Sequence, residues 1–523
     1  MATITLVKDR MVLKSRVRVP AELEPYQRDR VTYSFPLCGD IMRRLMAAIP
    51  NLSIDDDLME AFGEISRKQK ETLGIARMDD FDLPYTRLYP YQRVGVAWLN
   101  SVGRGILADE QGLGKTVTAV SAARLADPKK ALIVCPNSKK DDWARHAEEW
   151  IPGADVTILE GEASHREEIL RNWKSGYLVC NYTIACMHYK DMKTVNLVIV
   201  DEAHKMRNRK TDLFKAMRRI TSKSKHVILV TASPTVNEAG DLWTLLYLCD
   251  PKRFSSYWGF VYRFCDISHN GFGVEVGGLL ENERKNLERM LSPYILMREG
   301  MLELPDMKYR TVSFELEGVH RELYRSLEDE HLARYKGQEV KALTELSLIT
   351  RLRQMVLHPG LLFDNYEGNG KLDTLREVIE ERPGKVVVFT HYSKLVDMAV
   401  DYLEGHGIRS VGYTGSLNDE SRREALHEFR QGDAQVIVMT HGVGGEGLDL
   451  VEADRVIMLE LAWHPAGNAH AVRRILRHGQ TSDTVETIVI NTPGSIEDDI
   501  FAIIQDKKEV TIQEIMRRRQ SNE

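Results

Sequence analysis

"LADEQGLGKTVTAV", residues 107–120, ends an apolar strand-like run, crosses Gly114-Lys115-Thr116, and continues into an apolar helix-forming stretch. Strand, glycine-rich loop and helix in that order form the setting of a phosphate-binding loop. Glycines there let backbone N–H groups face phosphates beside the positive end of the following helix. The usual pattern opens with a glycine where this chain has Asp109, but the two glycines that must approach phosphate, Gly112 and Gly114, are present. Lys115 is placed to reach the β- and γ-phosphates of ATP, and the Thr116 hydroxyl to hold Mg²⁺.

Outward from this loop the chain contains two series of short β-branched runs. The first is "GILAD", "ALIVCP", "LVIVDE" and "VILVTAS", within residues 105–233; the second is "KVVVFT", "SVGYTG", "QVIVMT" and "RVIMLE", within residues 385–460. Helical stretches such as "TVTAVSAARLA" and "ESRREALHEF" separate them. Continuous apolar strands alternating with helices indicate parallel sheets covered on both faces, with ligand chemistry at the carboxyl ends of the strands. The expected fold is therefore α/β, with two parallel-sheet lobes, at residues 81–255 and 366–500, around a cleft that opens and closes. Residues 256–365 read as mostly helical insertions between the lobes, and 501–523 as a C-terminal helical brace. Residues 1–80 read as a small separate domain: a hairpin, then "VTYSFPL", then the helical "GDIMRRLMAAI".

The bulk composition, 43% hydrophobic and 28% charged over 523 residues, is that of a globular protein. The longest apolar runs are strand-length, so no membrane partner is expected, and the N-terminal stretch alternates charged and apolar residues too closely for a secretory signal. Six cysteines without a C-x-x-C pair suggest buried free thiols in a reducing compartment. With no evident chromatin-reading module or basic tail, the expected setting is the cytoplasm of a bacterial or phage-infected cell, with the nucleus as the alternative. A net charge of −6 forbids a globally basic surface but not a local basic cleft. Residues 205–225 carry nine basic residues against the single acid Asp212, a run fit to face either solvent or nucleic acid.

"VIVDEAH", residues 198–204, supplies what hydrolysis needs next: an apolar strand ending in adjacent carboxylates. Asp201 would ligate Mg²⁺ and Glu202 would polarise the attacking water. Upstream, Gln92 in "LYPYQRVGVAWL" carries an amide that donates and accepts at once, which suits the hydrogen-bonding edge of adenine. In the second lobe, "AVRRILRHGQ" spaces Arg474 and Arg477 one helical turn apart, where guanidinium groups can stabilise charge on a transferring phosphate.

Taken in order, "LYPYQRVGVAWL", "DEQGLGKT", "CPNSKKDDWARHAEEW", "DEAHKMRN", "TASPTVNEAGDLWTLLYLCDP", "RLRQMVLHPGLL", "THGVGGEGLDL" and "AWHPAGNAHAVRRILRHGQ" resemble the superfamily-two helicases, and within them the Swi/Snf-type DNA-translocating ATPases. The resemblance covers about residues 88–510. It implies two RecA-like lobes that bind ATP and Mg²⁺ and track along double-stranded DNA with little sequence preference. It further implies coupling roles for His204, Thr231, Ser233, Gly445 and Glu446. Pro136, Ser138, Trp143, Gly415 and Gly444 would lie along the DNA. In that family Asp-Glu before the glycines is usual, so Asp109 fits the pattern. His470, Ala232, Glu446 and Asp449 depart from its common residues.

"YWGFVYRFCD", followed by "LSPYILMREGMLELPDMKYR", is most similar to the annealing-helicase branch, whose members rewind or remodel forked DNA. That resemblance gives residues 1–80 a possible role in substrate recognition. Two rival readings stand beside DNA translocation. One is a strand-separating helicase on DNA or RNA, the other a nucleotide-gated scaffold with little catalysis. Protein partners cannot be read from these residues.

Overall fold

The computed structural model describes residues 2–505 apart from residues 8–9, 16, 18, 38, 86, 193, 232–238, 270–273, 299, 302–304, 445–447, 464 and 477–478. The chain forms two compact units, Met1–Met301 and Leu302–Glu523.

The first unit begins with a four-stranded sheet of β1 (Thr3–Val7), β2 (Arg10–Lys14), β3 (Thr32–Pro36) and β4 (Ser53–Ile54), in the order β3-β2-β1-β4. β1 and β2 form an antiparallel hairpin, and its inward residues Ile4, Met11 and Leu13 build a small core with Phe35 of β3 and with Leu45. A 21-residue helix, Asp56–Ala76, then leads to the large sheet. The small domain docks on the rest of its unit. Arg10 Nη1 donates to Ser255 Oγ at 3.3 Å, and Arg44 pairs with Glu283 at 3.1 Å. Tyr26 lies so close to helix Tyr257–Phe264 that a Cβ on Gly259 would sit 2.6 Å from its ring.

The large sheet contains β5 (Arg104–Leu107), β6 (Lys130–Cys135), β7 (Val156–Ile158), β8 (Gly176–Asn181), β9 (Leu197–Val200) and β10 (His226–Val230). Its edge is completed by β13 (Ile295–Leu296), which follows a hairpin of β11 (Cys265–His269) and β12 (Val274–Leu279). The strand order is β13-β5-β10-β9-β6-β8-β7, and every pairing is parallel. The pleat explains the unbroken apolar runs, because alternate residues serve opposite faces. Val198 and Val200 of β9 enter one core with Leu132 and Val134, while Leu197 and Ile199 enter the other with Ala131 and Ile133. Cys135, Cys180, Cys249 and Cys265 are buried free thiols. Burial pushes the Cys180 thiol up to about 12 and that of Cys265 to about 11.

The second unit repeats the plan. β14 (Asp306–Ser313) is followed by a hairpin of β15 (Leu332–Tyr335) and β16 (Gln338–Lys341). Then come β17 (Lys385–Thr390), β18 (Ser410–Tyr413), β19 (Val436–Thr440), β20 (Ala453–Met458) and β21 (Thr484–Asn491). The six-stranded sheet runs β14-β21-β20-β17-β19-β18, again all parallel. Val436 and Val438 face one core, Ile437 and Met439 the other.

Residues 256–365 are not a separate helical insertion. Their first part closes the edge of the first sheet through β13, and β14 closes the edge of the second, paired with β21 over eight residues. β13 is two residues long, too short to declare a period, and β14 ("DMKYRTVS") is a largely exposed edge strand rich in polar residues. Helix Ile496–Gln505 covers the start of the expected C-terminal brace, and residues 506–523 lie outside those described. Among the described residues no helix is long and apolar enough to cross a membrane.

Candidate active site at the edge of the first sheet

The carboxyl ends of β5, β10, β9 and β6 lie side by side, and the residues singled out in the first lobe gather there. After β5 the chain turns through Gly112 (φ +96°) and Gly114 (φ +72°) and enters helix Lys115–Ala126. The second glycine is required twice over. Its backbone is left-handed, and a Cβ there would stand 2.5 Å from Gln92 Nε2. Gln92 is buried at the start of helix Pro90–Val102; its Nε2 donates to Leu113 O at 3.2 Å, and its Oε1 accepts from Tyr89 N at 3.1 Å. Both ends of the amide are thus engaged within the protein, so Gln92 first shapes the loop, with one hydrogen and one lone pair left for a base. The Tyr91 hydroxyl donates to the same Leu113 carbonyl at 3.2 Å. Lys115 Nζ folds over the loop, donating to Asp109 O at 2.8 Å and Glu110 O at 3.2 Å, and Thr116 sits half-buried in the first turn of its helix.

Asp109 is fully buried, and Arg298, just past β13, grips both of its carboxylate oxygens, with Nε 2.9 Å from Oδ1 and Nη2 on Oδ2. Arg298 Nη1 also donates to Tyr91 O. Glu110 N donates to Arg298 O at 2.9 Å, so main chain and side chain both fasten the loop to the edge strand. Gly95 leaves room for this: a Cβ there would meet Arg298 Nη2 and Thr118 Cγ2, each at 2.8 Å. Nothing in the sequence singled out Arg298, because its partner is 189 residues away.

Two strand positions along, β9 runs out into Asp201 and Glu202, so their strand lies about 10 Å from β5, which leads into the phosphate loop. Asp201 is 4% exposed; its Oδ1 accepts from Glu202 N at 2.9 Å and its Oδ2 from Trp143 Nε1 at 2.9 Å, with Lys139 Nζ 3.5 Å away. Glu202 adopts the left-handed conformation (φ +44°), which costs a non-glycine residue on the order of 1 kcal/mol and turns it off the strand line. Its Oε2 lies 3.4 Å from His204 Nδ1, which in turn lies 3.4 Å from the Oγ1 of Thr231 at the end of β10. Burial holds the His204 imidazole below its ordinary pKa, against the pull of the Glu202 carboxylate. A carboxylate, an imidazole and a hydroxyl thus join the ends of two adjacent strands.

Residues 91–361 match the SNF2-related domain, and residues 370–479 match the helicase conserved C-terminal domain. The chain belongs to the SNF2-related family. It is 27% identical over 454 residues to the ISWI chromatin-remodeling complex ATPase ISW1 of Saccharomyces cerevisiae, covering 79% of this chain and 39% of that protein. It is 25% identical over 495 residues to the SWI/SNF-related matrix-associated actin-dependent regulator of chromatin subfamily A-like protein 1 of Xenopus laevis, covering 90% and 49%. Chromodomain-helicase-DNA-binding protein 1-like of Mus musculus is 26% identical, covering 80% and 50%. The chain therefore spans half or less of the length of these relatives. The solved Sulfolobus solfataricus SWI2/SNF2 ATPase core in complex with dsDNA aligns at 24% identity with a TM-score of 0.40, covering 82% of this chain and 93% of that one.

In this SNF2-related chain one expected DNA contact is misplaced. Trp143 is fully buried in the core of the first sheet with its indole N–H on Asp201, so it positions a carboxylate and cannot touch DNA. Its helix, Lys140–Trp150, turns that face inward because Trp143, Ala144 and Ala147 share one stripe. Pro136 is buried at the end of β6, whereas Ser138 is half-exposed in the turn that follows. In the second unit Gly415 is exposed, its carbonyl accepting from Arg422 Nη2 at 2.7 Å, and Gly444 ends helix His441–Gly444. Arg474 is fully buried and donates from Nη1 to Leu448 O at 3.2 Å, so its own guanidinium is not exposed. Ser233, Gly445, Glu446 and Arg477 lie outside the described residues.

Proposed function

We propose that this chain is an ATPase stimulated by DNA, which couples hydrolysis to movement on or remodelling of duplex or branched DNA. The supporting observation is the shared strand edge that carries a glycine-turned loop with Lys115 and Thr116, the carboxylates Asp201 and Glu202, and the His204–Thr231 contact. The residues fit a nucleoside triphosphate. Gly112 and Gly114, with left-handed backbone at a helix start, suit backbone N–H groups to phosphates, and Lys115 would exchange its loop carbonyls for phosphate oxygens. Thr116, Asp201 and the nucleotide's own phosphates would together hold Mg²⁺, which binds through a few oxygen ligands and water. When bound, that ion would neutralise charge on the phosphates.

In this reading Glu202 orients and polarises the attacking water. His204, whose pKa burial lowers, meets the Glu202 carboxylate and the Thr231 hydroxyl at one ring nitrogen, Nδ1, so the two strand ends compete for one contact and a change at either is felt at the other. The sequence similarity of residues 257–266 and 291–310 to the annealing branch supports forked DNA as a substrate. The deciding experiment is ATP turnover by Glu202→Gln with single-stranded, duplex and forked DNA. The variant should bind ATP and lose turnover on all three. Undiminished hydrolysis, or stimulation by RNA alone, would overturn the proposal.

A further inference from the structure

Directly after the catalytic turn, Arg207, Arg209 and Lys210 line a recess of about 570 Å³ together with Asp241, Tyr257 and Trp258. Three cations stand there against one carboxylate, with Arg207 Nε 4.0 Å from Asp241 Oδ2. The Arg207 side chain is 66% exposed. The rings are also arranged for contact. Arg209 lies over the Tyr257 ring at 4.2 Å and within 5.9 Å of Trp258, which bears edge-on against Tyr257 at 5.4 Å. Trp258 and Tyr262, one turn apart on helix Tyr257–Phe264, remain 36% and 41% exposed. The opposite side of that helix, at Phe260, Val261 and Phe264, is buried in the core. Core packing therefore accounts for the inner rings, while the outer two lean on each other at 5.9 Å and keep over a third of their surface open.

Large exposed rings beside a cationic recess are poor surfaces for water and good ones for a ligand that is flat, apolar on its faces and anionic at its edge. An unpaired nucleotide has this chemistry, since every base offers a π-face and every linkage a phosphate. An acidic peptide would use the cations and leave the rings idle. The volume falls within the range of about 300–1,000 Å³ typical of small-ligand sites, which suits one or two nucleotides and not a duplex.

We propose that this recess binds an unpaired nucleotide of a branched or single-stranded segment, with its base on Trp258 and its phosphates on Arg207 and Lys210. This deepens the DNA-dependent reading above and rests on it. Arg209 braces the ring platform. The occupant would sit three to six residues beyond His204, on the first unit alone.

The test uses the full chain and fluorescence anisotropy on two DNAs, a blunt duplex and the same duplex with a ten-thymidine single-stranded arm. The wild type should bind the armed DNA more tightly. Trp258→Ala should cost the armed DNA about tenfold in affinity and leave the blunt duplex unchanged, while Trp258→Phe keeps most of the difference. The double variant Arg207→Ala/Lys210→Ala should lower the salt slope for the armed DNA by about 1.4, two single-strand phosphate contacts. Equal losses on both DNAs, no loss on either, or displacement of the armed DNA by polyglutamate would overturn the proposal. A chain whose blunt-duplex binding and duplex-stimulated hydrolysis persist without any preference for the arm loses this inference and keeps the ATPase reading. A chain that binds neither DNA loses both.

Discussion

Arg298 and Asp109 form a buried ion pair across 189 residues, and through it the edge strand β13, the phosphate loop and the first turn of helix Pro90–Val102 become one body. The residue that interrupts the usual glycine pattern is therefore an anchor. A buried carboxylate left without its partner is expensive, about 3–5 kcal/mol when one side of such a pair is removed. Arg298→Ala should therefore loosen the loop and not merely delete a contact. Hydrogen exchange across helix Lys115–Ala126 should speed up and the KM for ATP should rise. Arg298→Lys, which cannot grip two oxygens at once, should recover only part of each. Unchanged exchange in Arg298→Ala would mean that Asp109 does not depend on this clamp.

Trp143 offers a second test, because its burial and its hydrogen bond can be separated. Trp143→Phe keeps an aromatic ring in the core and removes the donor to Asp201 Oδ2, a bond to a charged acceptor worth roughly 1.5–3 kcal/mol. With that oxygen left to Lys139 Nζ at 3.5 Å, Asp201 should lose its fixed orientation. ATP turnover should fall while DNA affinity in the absence of nucleotide stays unchanged. A loss of DNA affinity with intact turnover would restore the DNA-contact role.

The sheets were legible from the sequence because strands buried on both faces, such as "LVIV" and "VIVM", must be apolar at almost every position. The phosphate loop and the Asp201–Glu202 pair were legible because their chemistry is local. What could not be read was set at long range. β13 earns its place only by pairing with β5, and Arg298 matters only because that pairing brings it to Asp109. Trp143 was misjudged for a related reason. Its place along the DNA was carried over by position from a resembling motif, which does not say which helix face a residue occupies, and here that face is the inner one. Gln92 lies between these cases, since its burial beside Leu113 and Gly114 gives it a structural task that the side-chain chemistry alone did not announce.

The second unit should be acid-sensitive in a defined window. Burial pushes His320, His358 and His441 down to about 4 and His391 to about 3. The geometry agrees with neutral rings: His358 Nδ1 accepts from Gly360 N at 2.9 Å, and His320 Nε2 lies 2.6 Å from Met355 O. An unfolded chain protonates these groups near pH 6.5 and the folded one does not, so stability falls as pH drops from about 6.5 toward 4. Glu460 has the opposite sign. Burial raises it to about 7, so the folded state holds its proton and stability falls as pH rises from about 4.5 to 7. Four imidazoles outweigh one carboxyl below pH 6.5. The urea midpoint of the second unit should therefore be lower at pH 5 than at pH 7, and Glu460→Gln should raise it most above pH 7. A midpoint that climbs on acidification would reverse the assignment.

Lys371 is a deeply enclosed cation, with a side chain 1% exposed. Its Nζ donates to Leu459 O at 2.9 Å, Ile490 O at 2.7 Å and the two oxygens of Glu497 at 2.8 and 2.7 Å. Glu497 Oε2 also accepts from Thr492 N at 2.9 Å, so this pair ties the ends of β20 and β21 to helix Ile496–Gln505. Burial pulls the Lys371 pKa down while Glu497 holds it charged. Removing either partner strands a charge or a set of carbonyls, and Lys371→Met or Glu497→Gln alone should destabilise the second unit by about 3–5 kcal/mol. Apolar replacement of both partners, Lys371→Met with Glu497→Leu, should recover much of that loss, because it removes both desolvation costs together. Urea unfolding followed by hydrogen exchange in helix Ile496–Gln505 separates the outcomes. If the double variant is as unstable as the sum of the singles, the carbonyls of Leu459 and Ile490, and not the carboxylate, are what Lys371 is there to satisfy.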